Sequence, residues 1–186
     1  PSTFEENVLI TQQAIALARP HGISIEGEIG CLGSLETGLS GEEDGTQAKG
    51  ILTIDQMLTD PAQAKQFVEE TGVDALAIAI GTSHGCYKFT SAPTDKTLNI
   101  KRVHEISTLI PGTPLVLHGS SSVPEALLND INAHGGSLPK TYGVPVSSIQ
   151  QAIQHGVCKV NIDTDLRLAS TAAIRMSLAS TPENID

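Results

Sequence analysis

Two histidines in this sequence stand where a strand should end: His118 in "LVLHGSSS", Leu115 to Ser122, and His84 in "AIGTSHG". Two other strand-like runs end on Glu26 and Glu28 in "EGEIG" and on Asn161 and Asp163 in "NIDTD". Imidazole nitrogen combined with carboxylate oxygen suits zinc, with cobalt, iron and manganese chemically admissible. A lone histidine at a strand end is more often a satisfied core residue, but two of them converging with a glutamate favour a metal site. Small residues follow each histidine: Gly85 after His84, and Gly119, Ser120 and Ser121 after His118. Missing Cβ atoms let a ligand approach the backbone, and successive N–H groups with hydroxyls can cradle a phosphate. The N–H groups of Asp163 and Thr164, at a helix start, can face an anion. The bland alternative there is turn chemistry with Asp163 or Thr164 as N-cap. Lys88 adds a cation, whereas Cys86 reads as a small packed residue rather than a ligand.

These residues need a frame that brings them together. Four segments have the length and β-branched content of strands: from Ile23 ("ISIEGEIG"), from Ala75 ("ALAIAIG"), from Leu115 ("LVLHG") and from Val157 ("VCKVNID"). Helical patterns lie between them, one helix from about Phe4 to Arg19 opens the chain, and one from about Thr164 to Ala179 nearly closes it. Asp60 before Pro61, and Ser147 with Gln150 three residues on, read as helix starts. Repeated βα units predict a single α/β domain, residues 1–186, with a parallel sheet. Ligands of such sheets bind at the C-terminal strand edge, where all four runs place their polar residues.

The same frame sorts the histidines, five of which precede glycine. His21, His134 and His155 close helical stretches with Gly at the C′ position, where a left-handed residue ends the helix. His104 lies inside "IKRVHEIST" as a surface or half-buried side chain. Only His84 and His118 remain for chemistry.

Composition narrows the class. The 186 residues are 39% hydrophobic and 3% aromatic, enough for one aliphatic core. With 11 Lys and Arg against 21 Asp and Glu, the net charge of -10 argues against nucleic acid and anionic membranes as partners. No apolar run approaches the roughly 20 residues that span a bilayer, and "PSTFEENV" lacks the features of a secretion signal. Three cysteines without CxxC spacing suggest reduced thiols in a cytoplasmic setting. The segment from Cys31 to Gly50 carries five glycines and no periodicity; a loop of about 20 residues is uncommon unless it works as a lid. Its Glu36, Glu42 and Glu43 are candidate acid/base groups, against the simpler reading of a solvated acidic loop.

Taken together, "EGEIGCLGSLE", "AIGTSHGCYKF", "LVLHGSSSVP" and "KVNIDTDLRLA" resemble the class II, metal-dependent fructose-bisphosphate aldolases, over essentially the whole chain. The resemblance implies a (β/α)8 TIM barrel, of which this chain supplies about strands five to eight. It implies a zinc-dependent aldol cleavage and condensation of fructose 1,6-bisphosphate, with dihydroxyacetone phosphate and glyceraldehyde 3-phosphate as products, through a metal-stabilised enediolate. His84 and His118 are then two of three zinc ligands and Glu28 belongs to a second divalent-ion site; a monovalent cation is also compatible. Gly85, Lys88, Gly119, Ser120, Ser121, Asn161, Ile162, Asp163 and Thr164 are the implied contacts of the phosphorylated sugar. A loop glutamate, Glu36, Glu42 or Glu43, is the implied proton-transfer group. A homo-oligomer, dimer or tetramer, is expected because the family forms them. Tagatose-bisphosphate aldolases share these motifs, so the sugar is less fixed than the chemistry.

One departure matters: the family's Asp-His-Gly motif, which supplies a third zinc ligand and a catalytic aspartate, has no counterpart, because no Asp-His pair occurs. The chain is therefore expected to be part of a longer protein. Two competing readings remain: a Schiff-base aldolase using Lys159 or Lys88, and a non-catalytic half-barrel serving binding or assembly.

Overall fold

The computed structural model describes residues 3–32, 57–84, 89, 91–94 and 98–183. Four parallel strands, β1 (Glu26–Ile29), β2 (Ala75–Ile78), β3 (Leu115–Leu117) and β4 (Val157–Val160), pair in sequence order. Helices α1 (Phe4–Ala18), α2 (Pro61–Thr71), α3 (Ile100–Leu109), α4 (Glu125–Ala133), α5 (Val146–Gln154) and α6 (Thr164–Ser180) precede, connect and follow them. This is the expected α/β succession, with strands shorter than the runs that predicted them.

Helix boundaries follow local chemistry. Thr3 and Glu6 form a reciprocal capping box that starts α1, and Asp60 accepts the Gln63 N–H ahead of Pro61 to start α2. The start expected at Ser147 shifts: α5 begins at Val146 with Pro145 as N-cap, so Ser147 lies inside the helix. Proline fixes an extended residue just before the turn, which sets the start without a side-chain cap. Gly22, Gly135 and Gly156 take positive φ behind His21, His134 and His155, as expected of helix ends. His104 is exposed on α3, its ring 5.0 Å from that of His155.

The core lies between the sheet and helices α1 to α3. β2 is sealed on both faces, and Ala64 and Phe67 of α2 with Val103 and Ile106 of α3 are fully buried against it. Phe67 packs edge-on to Phe4, with centroids 6.1 Å apart. It also explains Gly27: a Cβ there would sit 2.6 Å from the Phe67 ring and 2.9 Å from Val73. β1 therefore alternates glutamates on one face with glycine and Ile29 on the other. A satellite core joins Leu128 and Ile131 of α4 to Leu168 and Ala172 of α6.

Truncating Phe67→Ala in the intact protein empties the space that Gly27 was kept small to provide. The expected loss is about 3–5 kcal/mol, read as a lowered midpoint in urea denaturation.

Candidate functional site at the C-terminal rim of the sheet

The strand ends are tied to their neighbours by a side chain between β1 and β2 and by further backbone bonds between β3 and β4. Thr59, 1% exposed, clasps β1 to β2: its hydroxyl donates to the Ile29 carbonyl (2.7 Å) and accepts the Ala79 N–H (2.8 Å). Arg102 holds the Thr59 carbonyl at 2.7 Å. Beyond β3 and β4, the Asn161 N–H donates to the Leu117 carbonyl (2.9 Å) and the Ser120 N–H to the Asn161 carbonyl (3.2 Å). These bonds extend the pairing and set His118 beside Asn161.

His84 and His118 come together, with ring centroids 6.1 Å apart and planes 39° from parallel. Two imidazoles that share one zinc at about 2.0–2.1 Å and a tetrahedral angle have ring centres about 5 Å apart, so the pair, at 6.1 Å, has to close by roughly 1 Å to share an ion. Among the described residues no group of three His, Cys, Asp or Glu side chains gathers closely enough to enclose an ion. Glu28 shares the face of β1 that carries Glu26, and its carbonyl accepts from Asn7 Nδ2 at 2.9 Å.

Gly119 makes this approach feasible. Its φ is +59°, and a Cβ there would lie 2.6 Å from the Ser83 carbonyl oxygen and 3.2 Å from the His84 ring. The glycine expected to admit a ligand thus admits the neighbouring strand end. Ser120 and Ser121 are buried, at 0% and 2% exposure. Ser120 donates to the His118 carbonyl at 3.1 Å, and Ser121 Oγ accepts the Thr164 N–H at 3.1 Å. A hydroxyl that accepts keeps its own proton, so Ser121 remains a donor for an anion. Asp163 caps no amide; its exposed carboxylate instead pairs with Arg167 at 2.7 Å, and Ile162 is also exposed. Glu36, Glu42, Glu43, Gly85 and Lys88 lie outside the described residues.

Two acidic residues matter more than their sequence positions suggest. Asp165, in the first turn of α6, accepts the Ser122 N–H (2.8 Å), the Ser122 hydroxyl (3.0 Å) and the Val123 N–H (2.8 Å). It holds Val123 at φ 50°, a left-handed backbone costly for a β-branched residue. The second "D" of "NIDTD" was the available signal, but a carboxylate after a helix start reads first as dipole compensation.

Glu26 lies deeper on the concave face. One carboxylate oxygen contacts His118 Nε2 and the other accepts from Lys159 Nζ, both at 2.8 Å. Burial, the largest influence on its pKa, pushes it up, but hydrogen bonds and charge from Lys159 and His118 outweigh that and hold the carboxyl below its usual range. Glu26 is therefore an ionised acceptor at neutral pH. Lys159 shares the face of Glu26 and is ion-paired to it, whereas a Schiff-base nucleophile has to be neutral and free.

Known proteins resemble this chain along its whole length. The family model described as fructose-bisphosphate aldolase class-II matches residues 1–186. Fructose-bisphosphate aldolases of Stutzerimonas stutzeri and Pseudomonas aeruginosa are each 60% identical over the whole chain, which covers 52% of their length. That of Cupriavidus necator is 58% identical, with 54% of its length covered. The chain thus spans about half the length of the curated relatives it matches. Among solved structures, the crystal structure of the YdjI aldolase from Escherichia coli K12 superposes with a TM-score of 0.60 at 30% identity, covering 98% of this chain and 49% of that one.

Two substitutions test how the rim is held. Gly119→Ala adds a methyl against the Ser83 backbone at a left-handed position; it should displace His84, visible as a change in the His84 ring resonances in NMR of the intact protein. Asp165→Ala removes the acceptor for two backbone amides, and the expected cost is about 1.5–3 kcal/mol in denaturant titration.

Proposed function

The chain belongs to the class II fructose-bisphosphate aldolase family, and from that premise we propose that the protein carries out the reversible aldol cleavage of fructose 1,6-bisphosphate. The bond between C3 and C4 breaks, giving dihydroxyacetone phosphate and glyceraldehyde 3-phosphate. The observation that carries this reading is the pairing of His84 with His118 at the sheet's C-terminal rim, beside Asn161 and the serine loop.

His84 and His118 would hold a zinc ion, with a third donor from outside this chain and Glu28 serving a second divalent site. Bound zinc would supply Lewis-acid polarisation of the substrate carbonyl. The other roles fall to the protein. The Asn161 amide, 3.4–3.5 Å from the His118 ring nitrogens, is placed to donate to an oxygen beside His118 as negative charge develops on it. Ser121 offers its hydroxyl proton, and Gly119, Ser120, Ile162, Asp163 and Thr164 form the proposed cradle for the dihydroxyacetone phosphate end, although the Ser120 and Thr164 N–H groups are already bonded to Asn161 and Ser121; Gly85 and Lys88 are the further proposed contacts. A glutamate of the long loop, Glu36, Glu42 or Glu43, exchanges the C1 proton of the triose. The proposal places the enzyme in the cytoplasm as a homo-oligomer acting on a phosphorylated sugar; no described helix is long and apolar enough to cross a membrane.

In the intact protein, chelation by EDTA should abolish fructose 1,6-bisphosphate cleavage and zinc should restore it. His84→Ala and His118→Ala should each lower kcat more than about 100-fold. Tagatose 1,6-bisphosphate should turn over far more slowly; preference for it would reassign the substrate. EDTA-resistant turnover with a borohydride-trapped adduct on Lys159 would overturn the metal reading.

A further inference from the structure

We propose that Glu26 is a positioning residue that fixes the tautomer of His118, holding the proton on Nε2 so that Nδ1 presents the lone pair to a metal. The inference rests on His118 being a ligand, but the tautomer itself does not.

A neutral imidazole has one N–H and one lone pair, and the partner of one nitrogen decides the role of the other. His118 Nε2 lies 2.8 Å from Glu26 Oε1. The other Glu26 oxygen accepts from the Lys159 ammonium at 2.8 Å, the arrangement of a carboxylate that only accepts, so the nitrogen facing it has to donate. Asn161 cannot make this choice, since its Nδ2 is 3.5 Å from Nδ1 and 3.4 Å from Nε2, nearly equidistant. His84 approaches through its ring, at a centroid distance of 6.1 Å. Glu26 is thus the described partner that distinguishes the two nitrogens.

Lys159 completes the device. Its ammonium occupies Glu26 Oε2 at 2.8 Å, which stops the carboxylate from rotating away and keeps that oxygen from competing for a metal. The three residues come from β1, β3 and β4, so the arrangement depends on the sheet's curvature and not on a local turn. Carboxylates that accept from the second nitrogen of a ligand histidine orient the ring and raise its basicity, and their loss weakens metal binding about 10–100-fold.

The test uses intact, EDTA-stripped protein with 15N-labelled histidine. Long-range 1H–15N spectra near neutral pH report which ring nitrogen of His118 carries the proton, with the signal assigned by its loss in His118→Ala. The expected result is the Nε2–H form in the parent. In Glu26→Gln, whose amide can donate or accept, that preference should relax, and zinc affinity in chelator competition should fall about 10–100-fold. Lys159→Met should keep the tautomer, because Glu26 still accepts. An Nδ1–H form in the parent, or a tautomer unchanged in Glu26→Gln, overturns the proposal, and the first needs no variant to fold. If the tautomer is as expected while His118→Ala binds zinc as tightly as the parent, the ligand reading fails and the tautomer control stands.

Discussion

The rim depends on one carboxylate that spans the sheet. Glu26 sits on β1 and Lys159 on β4, three strand positions away, yet their head groups meet at 2.8 Å. Strands about 4.8 Å apart would put the two backbones roughly 14 Å from each other in a flat sheet. Side chains of these lengths close that gap only if the sheet curls towards the face that carries them. The same carboxylate also reaches His118, just past the end of β3. The curl of the sheet thus brings together the ion pair and the contact that orients a candidate ligand.

Register makes the span workable. Leu115 faces Val157, but Val116 faces Lys159, so a bulge passes over Cys158 and brings Lys159 and Asn161 onto the concave face. Bulges commonly re-aim side chains next to functional sites. Around this centre the other fixings are local: Thr59 clasps β1 to β2, Gly119 lets the ends of β2 and β3 touch, and Asp165 fastens the loop after His118 to α6. Each spends polar groups that would otherwise be orphaned at strand ends, so the rim is ordered by hydrogen bonds while the core beneath it is aliphatic.

The sequence was most legible where a residue's role follows from its own element. Four strands in order, the Asp60 cap, and glycine-closed helices behind His21, His134 and His155 all follow from periodicity and turn chemistry. The pairing of His84 with His118 was legible too, because parallel strands deliver their ends to one edge. Less visible was anything that depends on a neighbour across the sheet. Gly119 read as room for a ligand, since no local signal shows that Ser83 and His84 fill that room. Glu26 and Glu28 share one face, and only the Lys159 and His118 contacts separate their roles. The Ser147 start failed because Pro145 had already set the boundary two residues earlier.

The central claim is that His84 and His118 bind one metal ion at this rim. Anomalous scattering at the zinc edge from crystals of the intact, zinc-loaded protein tests it most directly. A single peak is expected between the two rings, about 2.0–2.1 Å from one nitrogen of each. A peak that lacks either histidine, or zinc bound elsewhere with both rings unliganded, would contradict it.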